Sequence, residues 1–323
     1  MPEKLSEKDS IALHFVRVIA IWSSVAAHVS IIDTSAPMIE FFTRMWDLFS
    51  TISVPVFLVI GGILYTRVPG DSGSFWKKKV KTIILPWIFC GVFTYAYRSV
   101  FEGGSLGGLF YWVLGHSSWL YYVTVYLILL ALFKPIHKNV PMLWTCVAIT
   151  AVQLVLKSEG KGLPSLWDDD YLNPVHWIGF FALGILLRRQ GLWFGKVFLG
   201  ACAVVLPIIS VVAYQRWIYD YFHILNAVFT LSAFFVLFAV GRWVADTALR
   251  NIIREIGMYT YCIYLWHMLI VLPVLRRIPG VTFKAICAPI IGMIVMVLLI
   301  RLGKFIAEKL PFGDKLKMLV GLR

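Results

Sequence analysis

Residues 13–30, LHFVRVIAIWSSVAAHVS, decide how the chain is read. The run is long and apolar enough to cross a hydrocarbon core of ~30 Å as one helix, yet it carries Arg17 and His28. At ~100° per residue, eleven steps amount to about three turns plus 20°, so both side chains leave one helix face, ~16 Å apart along the axis. An arginine in hydrocarbon costs several kcal/mol on most estimates and belongs toward a bundle interior or an anionic ligand. The alternative readings are a snorkelling Arg17 near the membrane surface and a hydrogen-bonded structural His28. Spacing alone does not decide between them.

The rest of the chain has the same character. Of 323 residues, 60% are hydrophobic and 15% charged, where soluble domains carry about 25% charge, and mean hydropathy is +0.81. Lipid is therefore the expected solvent, and the expected fold class is an all-α polytopic integral membrane protein, a single transmembrane domain over residues 1–323. Candidate spans begin at Ile11, Leu48, Thr82, Ser118, Met142, Val175, Val197, Phe222, Ile252 and Ala285, each roughly 17 to 24 residues long. That makes about ten helices, with turn residues such as Asn173 and Pro174 between them. The polar N-terminus lacks a short positive region and a cleavage site, so the first run reads as a retained helix.

Net charge is +13, but the basic residues collect at the ends of apolar runs rather than among aromatics on a polar face. Membrane orientation accounts for them without nucleic acid. With the N-terminus inside, about 21 of the 30 Lys and Arg lie in the inner segments, which places both termini in the cytoplasm. The segments 30–47, 101–117 and 157–174 are then external. The last carries Trp167, Asp168, Asp169, Asp170 and Tyr171. Three adjacent carboxylates read more readily as a solvated loop than as a cation site. The five cysteines sit inside apolar runs without a CxxC pair or a nearby histidine at ligand spacing, so neither a disulfide framework nor a metal site is expected. Asp47, at the start of the second run, is a candidate for orienting His28 if the helices pack that way.

The Arg-x10-His pattern of Arg17 and His28 resembles the first helix of the membrane-bound acyltransferase family 3, whose members include bacterial O-acyltransferases of cell-surface polysaccharides. Three further stretches are similar to that family in order along the chain. ISVPVFLVIGG (residues 52–62) resembles its Val-Pro-aromatic second helix, with Gly61 where Ser is usual. His116, Trp119 and the tyrosines from Tyr121 to Tyr126 resemble its fourth helix, and IYLWH (residues 263–267) its late histidine motif. KKKVKT (residues 77–82) stands where the family has Arg-x-x-Arg, with Lys79 and Thr82 at the arginine positions. Lysine holds a phosphate as a point charge but makes no planar bidentate contact.

The resemblance implies a donor such as acetyl-CoA, used as a substrate with no bound cofactor, its phosphates held at the cytoplasmic face by Lys78, Lys79 and Lys81. The arm of the donor would run inward past Arg17. An external or lipid-linked glycan would present its hydroxyl near His28, with His267, His116, Trp119 and Tyr121 on the acceptor side. His28 is either a general base or the site of an acyl-histidine intermediate. The bland reading of the aromatics is an interfacial belt. The implied location is a bacterial inner membrane, with lipid and glycan as partners and no nucleic acid. A transporter of a polysaccharide intermediate is the competing reading, although the repeated halves common among transporters are absent. The soluble-enzyme motifs GxxxxGK[ST], HExxH and GxGxxG opening a helix are missing too.

Overall fold

A computed structural model describes residues 5–28, 37–65, 72–101, 103, 106–163, 169–276 and 280–322. Trp167 and Asp168 of the acidic segment lie outside the described residues.

Helix α1 (Glu7–Ala27) opens on Ser6, whose hydroxyl accepts from the Asp9 N–H at 3.1 Å. Glu7 and Asp9 in its first turn add negative charge where the helix dipole favours it. The helix stops at His28, which leaves helical geometry at φ −107°, ψ 2°. α2 (Pro37–Ser50) and α3 (Ser53–Tyr65) break at Thr51 and run as one apolar rod. α4 (Ser72–Lys79) and α5 (Leu85–Phe101) are joined by a π-helical turn, Val80–Ile84. Pro86 lacks the N–H that would close a regular turn there, and the widened turn bonds the Leu85 N–H to the Val80 carbonyl instead.

A short α6 (Leu109–Leu114) precedes α7 (Tyr121–Ile136), α8 (Val140–Ser158), α9 (Ile178–Gln190), α10 (Lys196–Arg216) and α11 (Ile224–Val244). The long α12 (Arg250–Arg276) and α13 (Val281–Ala307) follow, and α14 (Gly313–Leu319) ends the described chain. No strand occurs among the described residues, and the protein is an all-α polytopic membrane protein.

Seven helices among the described residues are long and apolar enough to cross a membrane. At three other expected spans lie α7, α9 and α12. The first two have 16 and 13 residues, and α12 has 27 with Arg254 and Glu255 near its start. Two expected boundaries move. Segment 30–47, expected to be a loop, is helical from Pro37, and the basic segment before Thr82 is helical from Ser72. In the first, polar residues interrupt the apolar pattern without breaking the helix: Arg44 folds back on Glu40 and stacks 3.6 Å from the Trp217 ring centroid.

The centre of the bundle is α1, packed on α2, α3, α11, α12 and α13. Beside it α3 and α9 touch backbone to backbone. A Cβ on Gly62 would stand 2.1 Å from the Phe181 carbonyl oxygen, and one on Gly184 would stand 2.0 Å from that of Val59. Small residues allow such approach where no hydrophobic force draws helices together in lipid. At the end of the bundle where α1 begins, Lys8–Asp246 (2.7 Å), Arg254–Glu7 (2.9 Å), Arg242–Asp9 (3.4 Å) and Arg301–Glu255 (2.7 Å) tie the start of α1 to α11 and its following turn, and α12 to α1 and α13.

Candidate active site

Because α1 and α12 both start at this charged end, they run parallel and meet at two levels. Near the charged end the His14 ring rests on Gly257, where a Cβ would come within 2.4 Å of Nδ1. At the far level the His28 and His267 ring centroids are 5.1 Å apart and tilted by 38°.

His267 is 1% exposed, and its Nδ1 lies 2.8 Å from the Tyr264 carbonyl and 3.2 Å from that of Ile263. Two carbonyl partners require Nδ1 to carry the proton, which leaves the lone pair on Nε2. That buried nitrogen has no hydrogen-bond partner among the described residues, a condition that costs about 1–3 kcal/mol. A ligand hydroxyl would satisfy it.

Trp119 closes this level. Its ring lies 6.3 Å from that of His267, and its Nε1–H donates to the Leu265 carbonyl at 3.2 Å. The same carbonyl accepts the Cys90 thiol at 3.0 Å, and the Tyr264 hydroxyl donates back to the Trp119 carbonyl. His116 and Trp119 precede α7 rather than lying on the expected fourth helix. Gly115 at φ +101° and Ser117 at φ +59° turn the chain sharply there. His116 sits against Ser117 and Tyr111. Tyr121 joins a separate aromatic cluster, 4.8 Å from Tyr171 and 6.5 Å from Trp177.

Between the two levels lies a cavity of about 360 Å³. Arg17 and His14 line it from α1, Gly61 and Phe57 from α3, Tyr122 and Tyr126 from α7, and Tyr261 and Tyr264 from α12. His28 is not among the residues that line it. Tyr264 lines the cavity and its ring lies 6.2 Å from His267.

The three lysines part company. Lys79 is half-buried beside the cavity, its Nζ 3.4 Å from the Tyr126 hydroxyl and 5.3 Å from the Phe75 ring centroid. Lys78 is exposed, and Lys81 lines a different cavity. His14, Tyr122, Tyr126, Tyr261 and Tyr264 escaped the sequence reading as site residues. The available signal was helical spacing, since His14 is one turn from Arg17, and Tyr122 and Tyr126 share a face that excludes Tyr121. No group of three or more metal-ligating side chains gathers among the described residues.

The fold and this site together define a polytopic α-helical membrane protein with a histidine pair set beyond a cationic, tyrosine-walled cavity. A family model described as an acyltransferase domain matches residues 10–302, and the chain belongs to the membrane-bound acyltransferase family 3. It is a multi-pass membrane acyltransferase. No curated protein and no solved structure matches it.

Proposed function

We propose that the protein transfers an acetyl or other short acyl group from cytoplasmic acyl-CoA to a hydroxyl of a cell-surface or lipid-linked glycan, in a bacterial inner membrane with both termini in the cytoplasm. The observation that carries this reading is the sequence of levels along α1 and α12. Lys79 comes first, then the cavity with Arg17 on its wall, then Tyr264, then the His28–His267 pair. A donor with phosphates at the charged end has room for a slender thioester arm toward the histidines, and the glycan approaches from the opposite side. No carrier has to cross the membrane.

In the chemistry that follows, the hydroxyl oxygen forms a bond to the thioester carbonyl carbon while a histidine takes the hydroxyl proton. The C–S bond then breaks and the same histidine returns the proton to the thiolate. His28 fills that role, or takes the acyl group itself before passing it on. His267 Nε2 accepts from a neighbouring hydroxyl of the glycan and so holds the reacting one in line. Arg17 donates to polar groups of the donor arm. His116, Trp119 and Tyr121 remain on the acceptor side of the proposal, Trp119 through its hold on the His267 segment.

The test is transfer of label from radiolabelled acetyl-CoA to membrane glycans in inverted vesicles holding the wild type or His28→Ala at matched protein level. Label in the wild type and none in the variant supports the reading. Equal label in both removes His28 from the chemistry, and none in either points to another donor or acceptor.

A further inference from the structure

A second cavity, of about 350 Å³, lies at the charged end on the far side of the π-helical turn. Lys81 and Thr82 enter it from the turn, Lys304 from α13, and Lys317 with Asp314 from α14, with Gly321 and Leu322 behind them. Three lysines from three elements therefore line one space, with a single carboxylate among its described lining residues.

That carboxylate does not fill the space. Asp314 pairs with Lys317 at 2.7 Å, but its side chain is 96% exposed while that of Lys317 is 23% exposed. It stands at the rim and takes one of three Lys317 donors. Glu308 lies near enough to act on Lys317 electrostatically but is not on the cavity wall. Thr82 spends its hydroxyl proton on the Lys78 carbonyl at 2.9 Å and neutralises nothing. A cleft lined mainly by one sign of charge concentrates counter-ions, and lysine binds phosphate as a point charge.

The wall is built rather than loose. The Trp266 Nε1–H donates to the Val320 carbonyl at 3.1 Å, and a Cβ on Gly321 would lie 3.1 Å from the Tyr261 ring. Tyr261 also donates its hydroxyl to the Ile83 carbonyl at 2.7 Å and lines the first cavity. The two cavities thus share a partition made of the π-helical turn and Tyr261. Lys304 and Lys317 lie beyond residue 302, where the family match ends.

We propose that Lys81, Lys304 and Lys317 form a phosphate-binding site completed by the C-terminal tail, occupied by a phosphate of the acyl donor or by that of an anionic lipid headgroup. The donor alternative rests on the acyl-CoA reading above. In it, the tail grips the phosphorylated head while the arm of the donor passes the partition into the first cavity.

The experiment compares the full-length wild type with Lys304→Ala/Lys317→Ala in nanodiscs, with Lys304→Arg/Lys317→Arg as the charge-conserving control. Binding of CoA and of CoA lacking its 3′-phosphate is measured in neutral lipid, and retention of phosphatidylglycerol is measured by native mass spectrometry. A loss of CoA affinity of about tenfold in the Ala variant, restored in the Arg variant and smaller for the dephosphorylated probe, identifies the donor phosphate. Unchanged CoA affinity with lost phosphatidylglycerol, restored by Arg, identifies the lipid. Wild type that binds no CoA but loses phosphatidylglycerol in the Ala variant rejects the donor reading and keeps the phosphate site. Wild-type CoA binding with neither property altered in the variant overturns the site and leaves the donor reading standing.

Discussion

His28, at the end of α1, and His267, inside α12, stand with ring centroids 5.1 Å apart although 239 positions separate them in sequence. The proton on Nδ1 of His267 is held by two carbonyls of its own helix, so its Nε2 is committed to accepting. If the pair positions and activates one acceptor sugar as a unit, losses on removing each histidine do not add. His28→Ala and His267→Ala should each lower single-turnover transfer by about 10²–10⁴-fold, and the double variant should be little worse than the poorer single one. Additive losses in that cycle would count against a shared role.

The Leu265 carbonyl, two residues before His267, takes both the Trp119 indole and the Cys90 thiol. Trp119→Phe keeps an aromatic ring but loses the N–H with the rest of the indole's second ring, at a cost of about 1–3 kcal/mol in stability. Transfer should fall more than that stability change accounts for, because the segment that presents His267 loses a restraint. Equal activity at equal protein level would show that Cys90 and helix packing hold the segment unaided.

Of the candidate donor lysines Lys78, Lys79 and Lys81, it is Lys79 that has its ammonium beside Tyr126 on the cavity wall. Lys79→Ala should raise the donor KM more than Lys78→Ala, with kcat changed less than KM, and Lys78→Ala should stay near wild type. Steady-state kinetics at saturating acceptor decides it, and the reverse order would move the donor path away from Tyr126.

Gly257 leaves no room for a methyl group against His14. Gly257→Ala should push the imidazole toward Arg17 and lower transfer, and His14→Ala in the same chain should recover part of the loss. Such compensation is the mark of two residues in contact. If the double variant is as impaired as Gly257→Ala alone, the methyl group harms the site by another route.

The α3–α9 crossing has no slack. Gly62→Ala should destabilise the protein by about 1–3 kcal/mol, the usual cost of overpacking, read as an earlier thermal unfolding in detergent. An unchanged melting temperature would mean the two helices part without loss.

What the sequence determined by itself was local. Long apolar runs require backbone groups to bond within their own segment in lipid, so helices were legible from composition and length, and polar side chains within such a run singled out Arg17 and His28 as candidates. The late histidine motif was visible too. Only the tertiary structure decided which residues meet, because packing between lipid-embedded helices leaves no period in sequence that names a partner. It set His28 against His267, put His14 and Tyr264 beside Arg17's cavity, sent Tyr121 to another cluster, and divided Lys79 from Lys81 across a π-helical turn. A helix boundary follows from the bonds of one segment; a site follows from the side-chain contacts among several, which only the assembled bundle contains.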